Sequence, residues 1–404
     1  MKQTEIGLIP EDWELKELKD ITLIQTNGFV GVAKTHYTES YTGVTYIQGF
    51  NVEENSFNFT GIKKVTIDFH QAHLRSSLIH KDLLTVQTGD VGLTTYVPKH
   101  LEGSNCHALI ISRFNLKSVE PKFVSFYLNS NLGRSRLKEI ETGTTMKHIN
   151  VGDFQFFQIP LPPLAEQEAI AKALSDADAW IEKLEQLIAK KRLIKQGAMQ
   201  TLLTPKKDWE VKKLGEVLYS NPDYGINAAA VEYDDNLPTY LRITDIDDNG
   251  KFIKENISSV NSVDSYKYYL NKNELVFART GASVGKCYLY KECDGKLVFA
   301  GFLIRIKVNP ELASSSFIFY NTQTIKYWNW INANSMRSGQ PGINSNELKS
   351  FKIAFPSLSE QERIATILSD MDAEIEELEQ QLGKARQIKQ GMMQELLTGR
   401  TRLV

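Results

Sequence analysis

The sequence predicts an α+β chain of two globular domains with β-rich cores. They are separated by two long helices that form an antiparallel coiled coil, giving a pseudo-twofold repeat. Three observations carry this. Residues 159–204 and 353–398 align without a gap at a constant offset of 194, with 29 identities in 46 positions, so the segment is duplicated. Both copies carry apolar residues at alternating steps of 4 and 3, the a/d seam of a coiled coil. The segments 1–158 and 206–352 instead show short β-branched and aromatic runs between turn signals, the pattern of strands.

The elements follow in chain order. Each half opens on a similar segment, Asp12-Trp-Glu-Leu-Lys-Glu-Leu18 and Asp208-Trp-Glu-Val-Lys-Lys-Leu214. In the first body, Val44–Ile47, Leu83–Val86 and Leu109–Ser112 read as strands, and Phe123–Leu128 begins a helix. In the second, Thr239–Ile243, Glu274–Ala278 and Phe302–Lys307 read as strands, and Phe317–Tyr320 begins a helix. Two faint matches extend the duplication into the bodies. Asp82–Gly89 resembles Glu274–Gly281, and His148-Ile-Asn150 resembles Gly342-Ile-Asn344. The expected boundaries are 1–158 and 206–352 for the bodies, 159–205 and 353–404 for the helical spacers.

The first seam runs Ile170, Leu174, Ala177, Ile181, Leu184, Ile188; the second runs Ile364, Leu368, Met371, Ile375, Leu378, Leu382, Ala385. Pro162, Pro163 and Pro356 suit a helix start and exclude a helix interior. Ser359-Glu-Gln-Glu362 has the spacing of a capping box. About 40 helical residues span roughly 60 Å. Such a helix can pack on its own body or pair with its repeat; twofold symmetry between the halves favours antiparallel pairing. Gly197 and Gly391 each cost about 1 kcal/mol inside a helix, and close packing against a neighbour is one reason to keep them.

Composition excludes several classes. The 404 residues are 42% apolar and 24% charged, which is globular and neither disordered nor collagenous. No apolar run nears the ~20 residues of a membrane span. Met1–Gly7 lacks a signal-peptide core, and Cys106, Cys287 and Cys293 are too few and too irregular for a disulfide or zinc framework. These features predict a cytoplasmic protein. Residues 1–158 hold 16 Lys and Arg against 17 Asp and Glu, residues 206–352 hold 19 against 17, so neither body is basic enough to announce nucleic-acid binding.

A search for catalytic chemistry finds little. Gly281-Ala-Ser-Val-Gly-Lys286 falls one residue short of a phosphate-binding loop, and Cys287 stands where a hydroxyl is required. A turn contacting DNA phosphate, or a plain β-turn, are the remaining readings. Asn221-Pro-Asp-Tyr224 departs from the amino-methyltransferase motif at its third position, without a glycine-rich cofactor loop. All seven His lie between His36 and His148. His70 and His73 share a helical spacing but no metal-ligand pattern. What remains is basic, aromatic and amide residues of base-reading or phosphate-contacting type: Lys63, Lys64, Arg75, Lys147 and His148 in the first body, and Tyr224, Arg242, Lys267, Tyr268, Tyr269, Arg279, Lys286, Arg337 and Gln340 in the second. Arginine can read guanine, and glutamine adenine, through paired hydrogen bonds. A DNA-modifying enzyme and a coiled-coil scaffold are the competing classes.

The whole pattern resembles the specificity subunit of a Type I restriction-modification system. The resemblance rests on the paired D-W-x-x-K-x-L openings, on Glu166-Gln-Glu168 with Leu174-Ser-Asp176, on Glu360-Gln-Glu362 with Leu368-Ser-Asp370, and on Leu396-Leu-Thr-Gly-Arg400. It implies two target recognition domains, each reading one half of a bipartite, asymmetric site in double-stranded DNA, with the coiled coil setting the spacer. It implies two methylase subunits and further restriction subunits as partners. It also implies no catalytic residue and no metal site in this chain: S-adenosylmethionine, ATP and magnesium would be bound by the partner subunits only.

Overall fold

The computed structural model describes residues 1–145, 147–337 and 339–403. It divides into two compact units, Met1–Glu185 with Gln380–Val404, and Gln186–Glu379. The two long helices, Leu164–Leu202 and Leu358–Leu396, are each continuous. The division therefore falls inside both helices. Each unit holds one body, the first half of the helix that follows it, and the second half of the other.

The two bodies are built alike. In the first unit, strands Thr94–Tyr96, Leu83–Val86, Leu109–Phe114 and Thr22–Asn27 form an antiparallel sheet in that order. In the second, Cys287–Leu289, Glu274–Ala278, Leu303–Lys307 and Asp223–Tyr224 repeat the order. The next sheet keeps a parallel pair in both, Asn105–Cys106 with Val44–Ile47, and Leu297–Phe299 with Thr239–Leu241. Strand Thr239–Leu241 is shorter than the sequence suggested. The Asp245 carboxylate accepts the Arg242 backbone N–H at 2.9 Å and turns the chain there.

The opening segment zips each body shut. Glu14–Glu17 pairs with Gln158–Leu161, and Glu210–Lys213 with Lys352–Phe355, both antiparallel. Trp13 and Trp209, just before these strands, are buried edge-on against Phe123 and Phe317 at 6.4 and 6.0 Å. The first turns of each long helix complete the same cores. Ile170 and Leu174 join Trp13, Phe123 and Phe154; Ile364 and Leu368 join Trp209, Phe317 and Tyr327. The end of the other helix closes each core, with Leu396 and Leu397 in the first unit and Leu203 in the second.

The glutamine of each Glu-Gln-Glu motif is a buried fastener. Gln167 accepts the Glu120 N–H at 2.9 Å and donates to the carbonyls of Pro162 and Ser118. Gln361 accepts the Ser314 N–H at 3.0 Å and donates to the Pro356 carbonyl. Both tie the long helix to the turn opening a body helix, Pro121–Asn129 or Ser315–Asn321. The cap expected at Ser359 lies two residues earlier. Ser357 accepts the Glu360 N–H, because the helix already begins at Leu358 after Pro356.

Within each unit the helix halves run antiparallel. In the first, Asp178 meets Lys389 at 2.5 Å and Glu185 meets Arg386 at 2.6 Å; in the second, Asp372 meets Lys195 at 2.5 Å and Glu379 meets Arg192 at 2.6 Å. Each pair becomes the other when both residues shift by 194. Leu184, Ile188, Ile375 and Ala385 are buried, while Ile181, Leu378 and Leu382 are half-buried. Ile170, Leu174, Ile364 and Leu368, expected as seam positions, are shared with the body cores. A Cβ added at Gly197 or Gly391 would meet nothing within 4 Å, so packing within the chain does not explain these glycines.

Replacing Gln167 or Gln361 by leucine strands a buried backbone N–H and carbonyls, at about 1–3 kcal/mol. Hydrogen exchange of Gln361→Leu is expected to show lost protection at 312–321 and unchanged protection at 118–129, with Gln167→Leu showing the reverse.

Candidate nucleic-acid interface

Two weak sequence matches, far apart in each half, meet in the fold. Thr88 bridges His148, and Thr280 bridges Gly342. The Ile149 N–H donates to the Gln87 carbonyl at 3.0 Å, and the Ile343 N–H to the Arg279 carbonyl at 2.9 Å. Both units thus cross a Thr-Gly turn with an Ile-Asn segment in one register. A common hairpin supports each crossing. The Val86 N–H donates to the Leu93 carbonyl and Gly92 donates to the Val86 carbonyl, both at 2.8 Å; Ala278 to Lys286 and Gly285 to Ala278 repeat this at 2.8 Å.

The near miss to a phosphate-binding loop is explained here. Gly281 and Gly285 have φ of +74° and +90°, which glycine adopts without strain. A Cβ at Gly285 would lie 2.9 Å from Ile331. The glycines shape a hairpin, and Lys286 is held by Asp248 at 2.8 Å and by the Ile246 carbonyl at 3.2 Å.

At the start of each central strand lies a repeated ion pair on a buried carboxylate, Asp82 or Glu274. Arg113 grips Asp82 through two hydrogen bonds of 2.8 Å. Arg305 holds Glu274 at 3.3 Å and Asp223 at 2.6 Å. Asp82 also accepts the Ile79 N–H, and Glu274 the Asn271 N–H, at 2.9 and 3.0 Å. Burial opposes the charge on Arg305, while the Asp223 and Glu274 carboxylates outweigh it and raise its pKa.

The remaining expected residues divide into two groups. Tyr224, Arg279, Arg337 and Gln340 gather at the second crossing. The Arg279 guanidinium lies 4.8 Å from the Tyr224 ring centroid. The Tyr224 hydroxyl accepts the Ser345 N–H at 3.2 Å. Burial acts to raise the Tyr224 pKa, but that hydrogen bond and the guanidinium prevail and lower it. Gln340 is exposed, its amide nitrogen 2.9 Å from where a Gly281 Cβ would stand. Arg337 pairs with Glu347. At the first crossing stand His148 and Lys147, the latter paired with Glu141 at 3.0 Å.

The others lie elsewhere in the bodies. Arg242 forks onto Asp245 at 2.9 and 2.8 Å, a pair that closes its own turn. Lys267 pairs with Asp264 at 2.7 Å. Tyr268 packs edge-on to Phe299 at 5.9 Å, and Tyr269 bridges Val298. Lys63 and Lys64 sit on the edge strand Lys63–Val65, and Arg75 donates to Thr26 at 3.1 Å. His73 is taken up by packing. It bonds the Phe69 carbonyl at 2.8 Å and its ring lies against Phe29 and Phe69. Gln87 and Gln25, the first unit's counterparts of Arg279 and Tyr224, were missed. Gln87 borders the matched Thr-Gly pair, a usable signal. Gln25 has none, because its place follows from the sheet register with Ser112.

With this geometry established, comparison with known proteins is direct. The Type I restriction modification DNA specificity domain matches twice, over residues 10–191 and 206–388. The chain belongs to this family. A putative Type I restriction enzyme MjaX specificity subunit of Methanocaldococcus jannaschii is 27% identical, covering 100% of this chain and 96% of its own. The Type I restriction enzyme StySPI specificity subunit of Salmonella potsdam is 24% identical over 94% and 86%. Among solved structures, the S subunit of a Type I restriction-modification system from M. genitalium superposes with a TM-score of 0.62 at 16% identity, covering 98% of each chain. The fold is therefore that of a specificity subunit, the DNA-recognition component, which performs no catalysis itself. Such a subunit works with DNA and with the modification and restriction subunits of its system. Among the described residues no helix is long and apolar enough to cross a membrane.

Arg305→Met removes the buried cation of Glu274 and leaves it only the more exposed Lys307 at 3.6 Å, at about 3 kcal/mol. Lys267→Met removes an exposed ion pair with Asp264, which contributes little to stability. Urea unfolding of the two variants is expected to separate them by several kcal/mol.

Proposed function

We propose that each unit reads one half of a bipartite, asymmetric DNA target, and that the paired helices set the unread spacer between the halves. The supporting observation is a contrast within one chain. The crossings share register and hydrogen bonds but carry different side chains, Gln87 and His148 against Arg279 and Gly342. A common framework with divergent tips suits two readers of two sequences. The near-neutral bodies leave much of the phosphate-neutralising charge to partner subunits.

We further propose that two copies of one methylase dock on two equivalent grooves. One of about 570 Å³ lies in the second unit and one of about 610 Å³ in the first. Their walls repeat at an offset of 194: Arg192 and Arg386, Lys195 and Lys389, Gln196 and Gln390, Met199 and Met393, Gln200 and Gln394, Leu203 and Leu397. The repeated helix wall of each groove suits identical partners, although the facing walls, from the two bodies, differ. Gly197 and Gly391 adjoin these walls with open space above them, where a partner's backbone can approach closely. The methyl donor, ATP and magnesium belong to the methylase and restriction subunits, and the complex acts in the cytoplasm.

Methylome sequencing of cells expressing the chain with its methylase tests the first reading. Exchanging residues 206–352 for those of another family member is expected to change one half-site and leave the other and the spacer intact. A change in both halves would overturn it. For docking, Gly391→Phe fills the space beside one groove only. Native mass spectrometry is expected to show one bound methylase where the unsubstituted chain binds two; two retained copies would refute the groove assignment.

A further inference from the structure

Arg279 is exceptional among the arginines of its unit. Arg192, Arg242, Arg305, Arg337 and Arg363 each pair with a carboxylate. Arg279 has no carboxylate partner among the described residues. Its guanidinium stacks on Tyr224, a residue 38% exposed. Its Nε is buried without a hydrogen-bond partner. An unmet buried donor carries a cost, so neither an ion pair nor a satisfied hydrogen-bond network accounts for this arginine.

Its position is fixed where its side chain is not committed. Strand Glu274–Ala278 is buried throughout, and Arg279 is the first residue to leave it. Its carbonyl is pinned by the Ile343 N–H and its own N–H by the Phe302 carbonyl at 3.0 Å. Gln87 stands in the same place in the first unit. It follows the wholly buried strand Leu83–Val86; its carbonyl is pinned by the Ile149 N–H, and its amide nitrogen donates to the Ile149 carbonyl at 3.2 Å, a bond that contact with a base would replace. The backbone is thus equivalent while the hydrogen-bonding groups differ. Arginine offers a fork of donors; glutamine offers a donor and an acceptor. Stacking on an aromatic face holds the guanidinium plane, and that plane matches the two acceptors on the edge of guanine. The amide matches the donor–acceptor pair of adenine.

We propose that residues 87 and 279 are equivalent specificity-determining positions, with Arg279 reading a guanine in one half-site and Gln87 an adenine in the other. This rests on the reading of the two units as separate DNA readers. It adds which residue of each unit discriminates a base, and which base.

The test uses the complete methylase–specificity complex and duplexes in which each base pair of the target is replaced in turn. The unsubstituted complex is expected to require a G·C pair at one position of the second half-site and an A·T pair at one position of the first. Arg279→Gln is expected to weaken binding to the original target about ten- to a hundredfold. It is expected to relax or switch the preference at that G·C position, with every position of the first half-site read as before. Gln87→Arg is expected to act likewise on the first half-site alone. Retention of the first half-site profile by Arg279→Gln also shows that the variant is folded and assembled. Equal weakening on all duplexes, or an unchanged base profile, overturns the assignment, because a phosphate contact or a structural role behaves that way. If the unsubstituted complex reads an undivided site, the two-reader proposal itself fails, and the two failures are told apart before any variant is made.

Discussion

Closure of each core by a helix from the other repeat is the constraint on which this molecule depends. Leu396 and Leu397 pack with Trp13 and Phe123, while Leu203 packs with Trp209 and Phe317. The C-terminal segment reinforces the first closure. Gly399 adopts φ +69°, and a Cβ there would lie 2.4 Å from the Pro10 ring. Arg402 then binds Glu166 at 2.6 Å and Asp12 at 2.7 Å, above the Trp13 ring. Glu166 is fully buried and also accepts the Trp13 indole N–H at 3.0 Å. The tryptophan, the glutamate and the final turn are one cluster, although they are spread from residue 12 to residue 402.

This closure explains why the helical segments stayed alike while the bodies diverged. A residue in the duplicated segment answers to two environments. Its first half packs on the preceding body, through Gln167 or Gln361, and its second half packs on the other body. The facing charges must also complement both copies, since Asp178 with Lys389 and Asp372 with Lys195 are one interaction written twice. A change in one helix therefore disturbs contacts in either unit. Residues at the crossings share only their backbone bonds between the units; their side-chain contacts differ, Gln87 donating to the Ile149 carbonyl at 3.2 Å and Arg279 stacking on Tyr224. Arginine can replace glutamine there while the sheet below is kept by Asp82 with Arg113 or Glu274 with Arg305.

The same reasoning separates residues that hold the fold from those free to meet a ligand. Arg242, Lys267, Lys286 and Arg337 all looked suited to phosphate or base contact, and each has a carboxylate neighbour in the fold. Sequence spacing conceals such pairs when the partner is distant, as with Lys286 and Asp248. Arg279 stands apart because its neighbour is an aromatic ring.

The sequence by itself determined the duplication, the helical seams, the strand-bearing bodies and the resemblance to a specificity subunit. Those rest on local periodicity and on self-similarity, which one chain displays in full. It also matched the Thr-Gly and Ile-Asn segments between halves without revealing that they touch. Only the tertiary structure decided that contact, because a β-bridge between Thr88 and His148, or Thr280 and Gly342, joins residues about sixty positions apart through register alone. It likewise decided that Ile170 and Ile364 serve the body cores, and that each long helix belongs to both units. Periodicity marks which face of a helix is apolar; what that face is buried against depends on elements brought to it from elsewhere in the chain.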